Sequence, residues 1–303
     1  MIGNLDGSAG LFLANLERIQ QTMERAQNQM SSGRKVNSVA DAPEEVSGIL
    51  QLQTQIDLNT AVQGQLQNTK AIVDTAEGAV QSGVQLMDQA VSLADQAAST
   101  LQTPESRQTI AQEIQGILEQ MVSLSRSSVA NRYVFSGDAD QVPCYEADPG
   151  SSTGVKRLLA PQSSMQIGDT DGFAFAFSRT AQEIFDHRNT DDSAASDNVF
   201  AALNSLRVAL EQNDSTAIQA SASTLRKAGD YLNGQLGFYG AVQNRLGSAI
   251  NIAKKFQVQQ QAGLSGMQDA DVAALALELS QAQIHQQAAL AARAAALWDS
   301  CSC

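Results

Sequence analysis

Apolar residues open the chain at alternating steps of three and four. Ala9, Phe12, Leu16, Ile19, Met23, Ala26 and Met30 fall on one line of a helix, with Glu17, Arg18, Gln20, Gln21, Glu24 and Arg25 off it. A heptad of this kind calls for a partner helix along its whole length, because its apolar seam faces one side only. Ser31-Ser32-Gly33 reads as the end of the helix, since glycine takes the left-handed conformation without steric cost. After a short stretch through Asn37, Asp41 reads as the cap of the next helix. Pro43 and Glu44-Glu45 stand in its opening turn, where a fixed φ and negative charge both fit.

The second helix is long. Val62, Leu66, Thr69, Val73, Ala76, Val80, Gly83, Met87, Ala90, Ala94, Ala97 and Leu101 keep the rhythm as far as Thr103-Pro104. A run of that length points to a coiled coil or an extended bundle. Its small seam residues, Ala76, Gly83, Ala90, Ala94 and Ala97, leave room for a neighbouring backbone. A third helix through Ile110, Ile114, Ile117, Met121 and Leu124 is expected to fold back antiparallel over the short connection at Pro104.

Turn residues then separate short apolar runs at 155–159, 165–167 and 173–177, the pattern of a small β-rich insert. A polar loop from Asn189 to Asp197 leads back into helix through Val199, Leu203, Leu206 and Leu210. A second long helix runs through Ile218, Leu225, Leu232, Tyr239, Leu246 and Phe256. Gly263-Leu264-Ser265-Gly266 is predicted to interrupt it, and Asp269 and Asp271 to cap a last helix through Val272, Leu275, Leu279 and Ala282 to Trp298.

The expected fold is mainly α: an elongated antiparallel bundle or coiled coil built from N- and C-terminal arms, with the β-rich insert between them. The divisions are an N-terminal helix at 1–33, rod at 34–132, insert at 133–190, rod again at 191–262 and a C-terminal helix at 263–303.

Composition narrows the function. Only 5 prolines occur, which suits long helices. The formal charge of −13 repels phosphate backbones and anionic lipid, so neither nucleic acid nor membrane insertion is expected. The first residues lack the basic region of a cleaved signal peptide, and no apolar run is long enough to span a bilayer. Cys144, Cys301 and Cys303 have no framework spacing and read as incidental thiols, while His187 and His285 read as solvated or packing residues. No phosphate-binding, dinucleotide-binding, metalloprotease or nucleophile-elbow motif is present. No enzyme activity, cofactor or metal is expected.

The two terminal helices carry the positive signal. Helices of modest length are marginal alone in water. An assembly seam of Phe12, Leu16, Ile19, Met23 and Met30 at one end, with Val272, Leu275 and Leu279 at the other, is expected to order against further copies of the chain. Two alternatives stand beside it: termini that pack on the body of an ordinary bundle, and a generic coiled-coil adaptor or signalling module with protease-resistant ends.

The stretch from Met30 through Ser31, Ser32, Gly33, Asn37 and Asp41 to Pro43 resembles the signature of the bacterial flagellin superfamily after its first terminal helix. Gly240 to Leu246, with Asn244, Arg245 and Leu246, and Asp269 to Ala273 are similar to the C-terminal half of that family. Asn131 to Gly137 and Asp197 to Leu210 look most like its hook–filament junction branch, the hook-associated protein 3 type. The resemblance implies a structural subunit that assembles with itself as a ring or polymer, between another hook-associated protein and filament flagellin. It further implies export through the flagellar type III apparatus with an export chaperone and no cleaved signal, and an extracellular place in the flagellum. Filament flagellin itself satisfies the same patterns.

Overall fold

The computed structural model describes residues 3–38, 41–160, 163–168 and 174–301, with side chains from 10 to 294 within those spans. Val39, Ala40, Phe173 and Cys303 lie outside the described residues, as do the side chains of Ala9, Trp298 and Cys301. The helices are α1 (Gly3–Ser32), α2 (Pro43–Ala97), α3 (Pro104–Ser125), α4 (Ala181–Ile184), α5 (Val199–Glu211), α6 (Ser215–Gln268) and α7 (Val272–Cys301). Among the described residues six short strands lie between α3 and α4: β1 (Ser128–Val129), β2 (Arg132–Tyr133), β3 (Tyr145–Ala147), β4 (Val155–Arg157), β5 (Gln166–Gly168) and β6 (Ala174–Ala176). The mainly α fold with a small β insert is the one that the helical periodicity and the turn signals predict.

Two compact units divide the chain, one of 1–61 with 255–303 and one of 62–254. In the first, α1 ends at Ser32 and Gly33 adopts φ +69°, the left-handed stop expected there. Two backbone hydrogen bonds then cross the chain: Lys35 N–H donates to Gln268 O at 2.8 Å and Ala270 N–H to Gly33 O at 3.0 Å. Beyond them α7 runs antiparallel to α1. Arg34 bridges Asp269, and nine residues further from that bridge on each helix Arg25 meets Glu278.

Two sequence expectations are corrected here. Asp41 does not cap α2. Its carboxylate turns back to accept the amides of Asn37 at 2.8 Å and Ser38 at 2.6 Å, because the loop has free N–H groups nearer than the helix. Nor does Gly263 to Gly266 break α6, which continues to Gln268. A glycine in a helix interior costs about 1 kcal/mol relative to alanine, too little to stop a helix supported by packing. At Gly263 the missing Cβ admits Leu52, whose Cδ1 lies 3.6 Å from where it would stand. The stop falls at Gln268, and Asp271 caps α7 by accepting Ala273 and Ala274 amides.

The second unit holds the main core. Val73, Val80 and Met87 of α2 are buried with Ile114 and Met121 of α3, Leu203 and Leu206 of α5, and Leu225, Leu232 and Leu246 of α6. Gly83 explains how closely they meet: a Cβ there would stand 3.1 Å from Leu232 Cδ2 and 3.3 Å from Met121 Sδ. The α2 seam ends sooner than its pattern suggests. Helix stops at Ala97, and Leu101 lies beyond it in a turn, 90% exposed. Thr103 caps α3 through the Ser106 amide.

The insert is three antiparallel hairpins, β1–β2, β3–β4 and β5–β6, rather than one sheet. The first begins at Ser128, ahead of the insert boundary expected at Tyr133, since two-residue strands carry no alternation to read. Aromatic contacts hold the insert to α5: Phe135 meets Phe185 edge-on at 5.5 Å, and Phe200 meets both Phe185 and Tyr145. Beneath them Asp186, fully buried, accepts from Tyr145 Oη, Arg188 Nε and Asn198 Nδ2 at 2.8–2.9 Å. A buried carboxylate needs such partners. Burial and the adjoining Asp186 charge push the Tyr145 phenol well above its usual range, so it stays a donor.

Candidate functional site

The terminal pair in the first unit is the surface that the sequence singles out. Along α1, Phe12, Leu16, Ile19, Met23 and Met30 are half-buried and Ala26 is fully buried. Helix α1 packs on α7, where Leu275 and Ala282 are buried and Leu279 is half-buried. The Arg293 guanidinium lies 5.7 Å from the centre of the Phe12 ring. The heptad therefore finds its partner within the same chain, and α7 answers it in the same three-four rhythm. Val272 stands in the first turn of α7. It is 51% exposed in the lone chain.

One helix against one helix leaves much apolar surface uncovered. Leu11 and Leu13 on α1 are 70% and 61% exposed, and Leu277 and Ile284 on α7 are each 61% exposed. Leu277, Ile284 and Ala291 recur every seven residues on a side of α7 away from Leu275 and Ala282, with Ala288 beside them, and all are exposed. A helix apolar on two faces belongs inside an assembly rather than at the surface of a lone chain. The heptad reading passes over this second stripe because alanine contributes little contrast to a periodic pattern.

The signature residues serve separate places. Ser31, Ser32, Gly33, Asn37 and Asp41 build the α1–α2 turn. Ser32 Oγ accepts from the Arg34 amide at 3.2 Å, and Asn37 Nδ2 donates to Arg34 O at 3.1 Å. The Asn37 and Ser38 amides hold the Asp41 carboxyl below its ordinary value. In the other unit Leu246 is fully buried on α6, Asn244 is exposed, and the Arg245 guanidinium lies 4.0 Å from the centre of the Phe175 ring on β6.

Among the described residues no three His, Cys, Asp or Glu side chains are placed to hold a metal ion. Among the same described residues no helix is long and apolar enough to cross a membrane. His187 stacks on Tyr231 at 4.8 Å and pairs with Asp197. Cys144 is buried against Ser136, and that burial pushes its thiol up, away from the reactive thiolate.

Comparison with known proteins identifies the family. The N-terminal helical region of bacterial flagellin matches residues 7–140, and the C-terminal helical region matches 226–297. No curated protein matches by sequence. Among solved structures, the chain is similar to a flagellar hook-associated protein from Vibrio parahaemolyticus, with TM-score 0.64 and 17% identity. That match covers 76% of this chain and 100% of the other. It is also similar to Bacillus cereus FlgL (TM-score 0.58, 18% identity, 71% and 99% covered) and to Xanthomonas campestris FlgL (0.52, 15%, 62% and 91%). At those identities the likeness speaks for the fold, whereas the two helical-region matches together take in well over half of the residues. The chain belongs to the bacterial flagellin family.

Proposed function

We propose that this chain is a structural subunit of the bacterial flagellum, that it forms the hook–filament junction, and that its terminal helix pair does the assembling. The observation that carries the reading is the uncovered apolar side of α1 and α7: Leu11, Leu13, Leu277 and Ile284 stay exposed after the two helices have paired. Further copies and neighbouring flagellar subunits would cover that side, and the burial offsets the entropy of ordering the helices. The names of the similar structures favour the junction over the filament. In this reading the subunit stands between another hook-associated protein and filament flagellin. It reaches the cell exterior through the flagellar type III apparatus with an export chaperone, without a cleaved signal.

The test is a strain lacking the chain, complemented with the full chain or with 31–271 alone. The full chain restores filaments to hooks. The shortened chain leaves hooks bare and filament subunits in the medium. Attachment of filaments by the shortened chain sinks the proposal, and a deletion that abolishes filament subunits altogether points to filament flagellin instead.

A further inference from the structure

Thr54, Thr60 and Thr75 of α2 each turn the side-chain hydroxyl back to donate to the carbonyl four residues before, at 2.8–2.9 Å. Thr69, on the same helix and only 5% exposed, makes no side-chain hydrogen bond to the described residues. A buried hydroxyl without a partner is costly, so this one is served from the space that Thr69 lines.

That space is a hollow of about 410 Å³ beside Ile72, inside the second unit. Small-molecule sites run from about 300 to 1,000 Å³. One face of α2 brings Gln65, Asn68 and Thr69 to the lining, and β5 adds Gln166. The amides are as free as the hydroxyl: among the described residues the side chains of Gln65, Asn68 and Gln166 have no hydrogen-bond partner. The apolar part of the lining, with Ile167 and Phe177, is already buried in the chain.

These groups sort the ligand. Arg132 and Asp140 on the lining are paired with each other, so no cation is left over to hold a phosphate or a carboxylate. No three metal-ligating side chains stand together among the described residues. An apolar ligand would leave the amides and the hydroxyl unpaired. An uncharged molecule rich in hydroxyls suits them, since hydroxyls and side-chain amides each both donate and accept. Tyr133, half-buried on the same lining, adds an aromatic ring, a surface on which the C–H face of a sugar packs.

We propose that this hollow binds a neutral saccharide, with Gln65, Asn68, Thr69 and Gln166 as its hydrogen-bonding groups. The site lies apart from the terminal helix pair and does not depend on the assembly reading.

The test is saturation-transfer NMR on the full chain in dilute solution, with methyl glucoside, methyl galactoside, methyl mannoside and N-acetylglucosamine as probes. At least one is expected to bind with millimolar affinity and to shift the side-chain amide signals of Asn68 and Gln166. Thr69→Val keeps the shape and removes the hydroxyl. It is expected to weaken binding about tenfold, as for loss of a hydrogen bond, with the melting temperature unchanged or raised. Asn68→Ala is expected to act in the same direction, while Ser82→Ala, on α2 outside the hollow, leaves binding as it was. No saturation transfer to any of these sugars overturns the proposal and leaves a hollow filled with solvent. Binding that Thr69→Val and Asn68→Ala leave untouched overturns it as well.

Discussion

Arg25 on α1 donates to the Glu278 carboxylate on α7 at 2.6 Å, on the same register that Arg34 and Asp269 set at the other end of the turn. Both side chains are substantially exposed, so the pair aligns the helices more than it holds them. Arg25→Ala is expected to weaken the terminal pair by less than about 1 kcal/mol. Leu275→Ala removes a buried contact and is expected to cost about 2 kcal/mol. Leu277→Ala leaves the isolated chain within about 0.5 kcal/mol of wild type. Amide exchange of α1 and α7 reads all three; equal losses at Leu275 and Leu277 would show that the seam is misplaced.

Two glycines of α2 separate packing from propensity. At Gly83 a Cβ would press on Leu232 and Met121, whereas nothing lies within 4 Å of one at Gly64. Gly83→Ala is expected to destabilise by about 1–3 kcal/mol through overpacking. Gly64→Ala gains roughly 1 kcal/mol from helix propensity. Thermal unfolding of the two variants gives the comparison, and a stabilised Gly83→Ala would contradict the close approach of the helices.

The Asp41 carboxyl is held below its ordinary value of 3.8 by the Asn37 and Ser38 amides. A depressed carboxylate contributes its stability above the unfolded value and loses it as pH falls through the lower folded one. The α1–α2 turn is therefore expected to stay ordered down to about pH 4 and to loosen below it. Amide chemical shifts of Asn37 and Ser38 would follow that titration, and Asp41→Asn would abolish it. Shifts that move instead near neutral pH would refute the assignment.

Much of the architecture was legible along the chain because periodicity is local. The steps from Val73 to Ala97 mark the buried side of α2, and those from Phe12 to Met30 mark the side of α1 that meets α7. Gly33 could be read as a stop since its φ is a property of one residue. Local rules failed where another group competed or filled space. Leu52 fills the space at Gly263 and α6 runs on; the loop amides draw Asp41 away from its helix. Leu101 keeps the heptad spacing, yet the chain has already turned, with Ala97 O taken by the Arg107 guanidinium.

By itself, then, the order of residues determined that this protein is a set of long amphipathic helices around a small insert, with apolar seams at both ends, because side-chain spacing alone decides which face of a helix can be buried. Only the tertiary structure decided that α1 and α7 are each other's partner, that a second stripe through Leu277 and Ile284 stays open, and that a hollow lies beside Ile72. Those are properties of surfaces made by residues far apart in the chain, and no pattern within one helix can carry them.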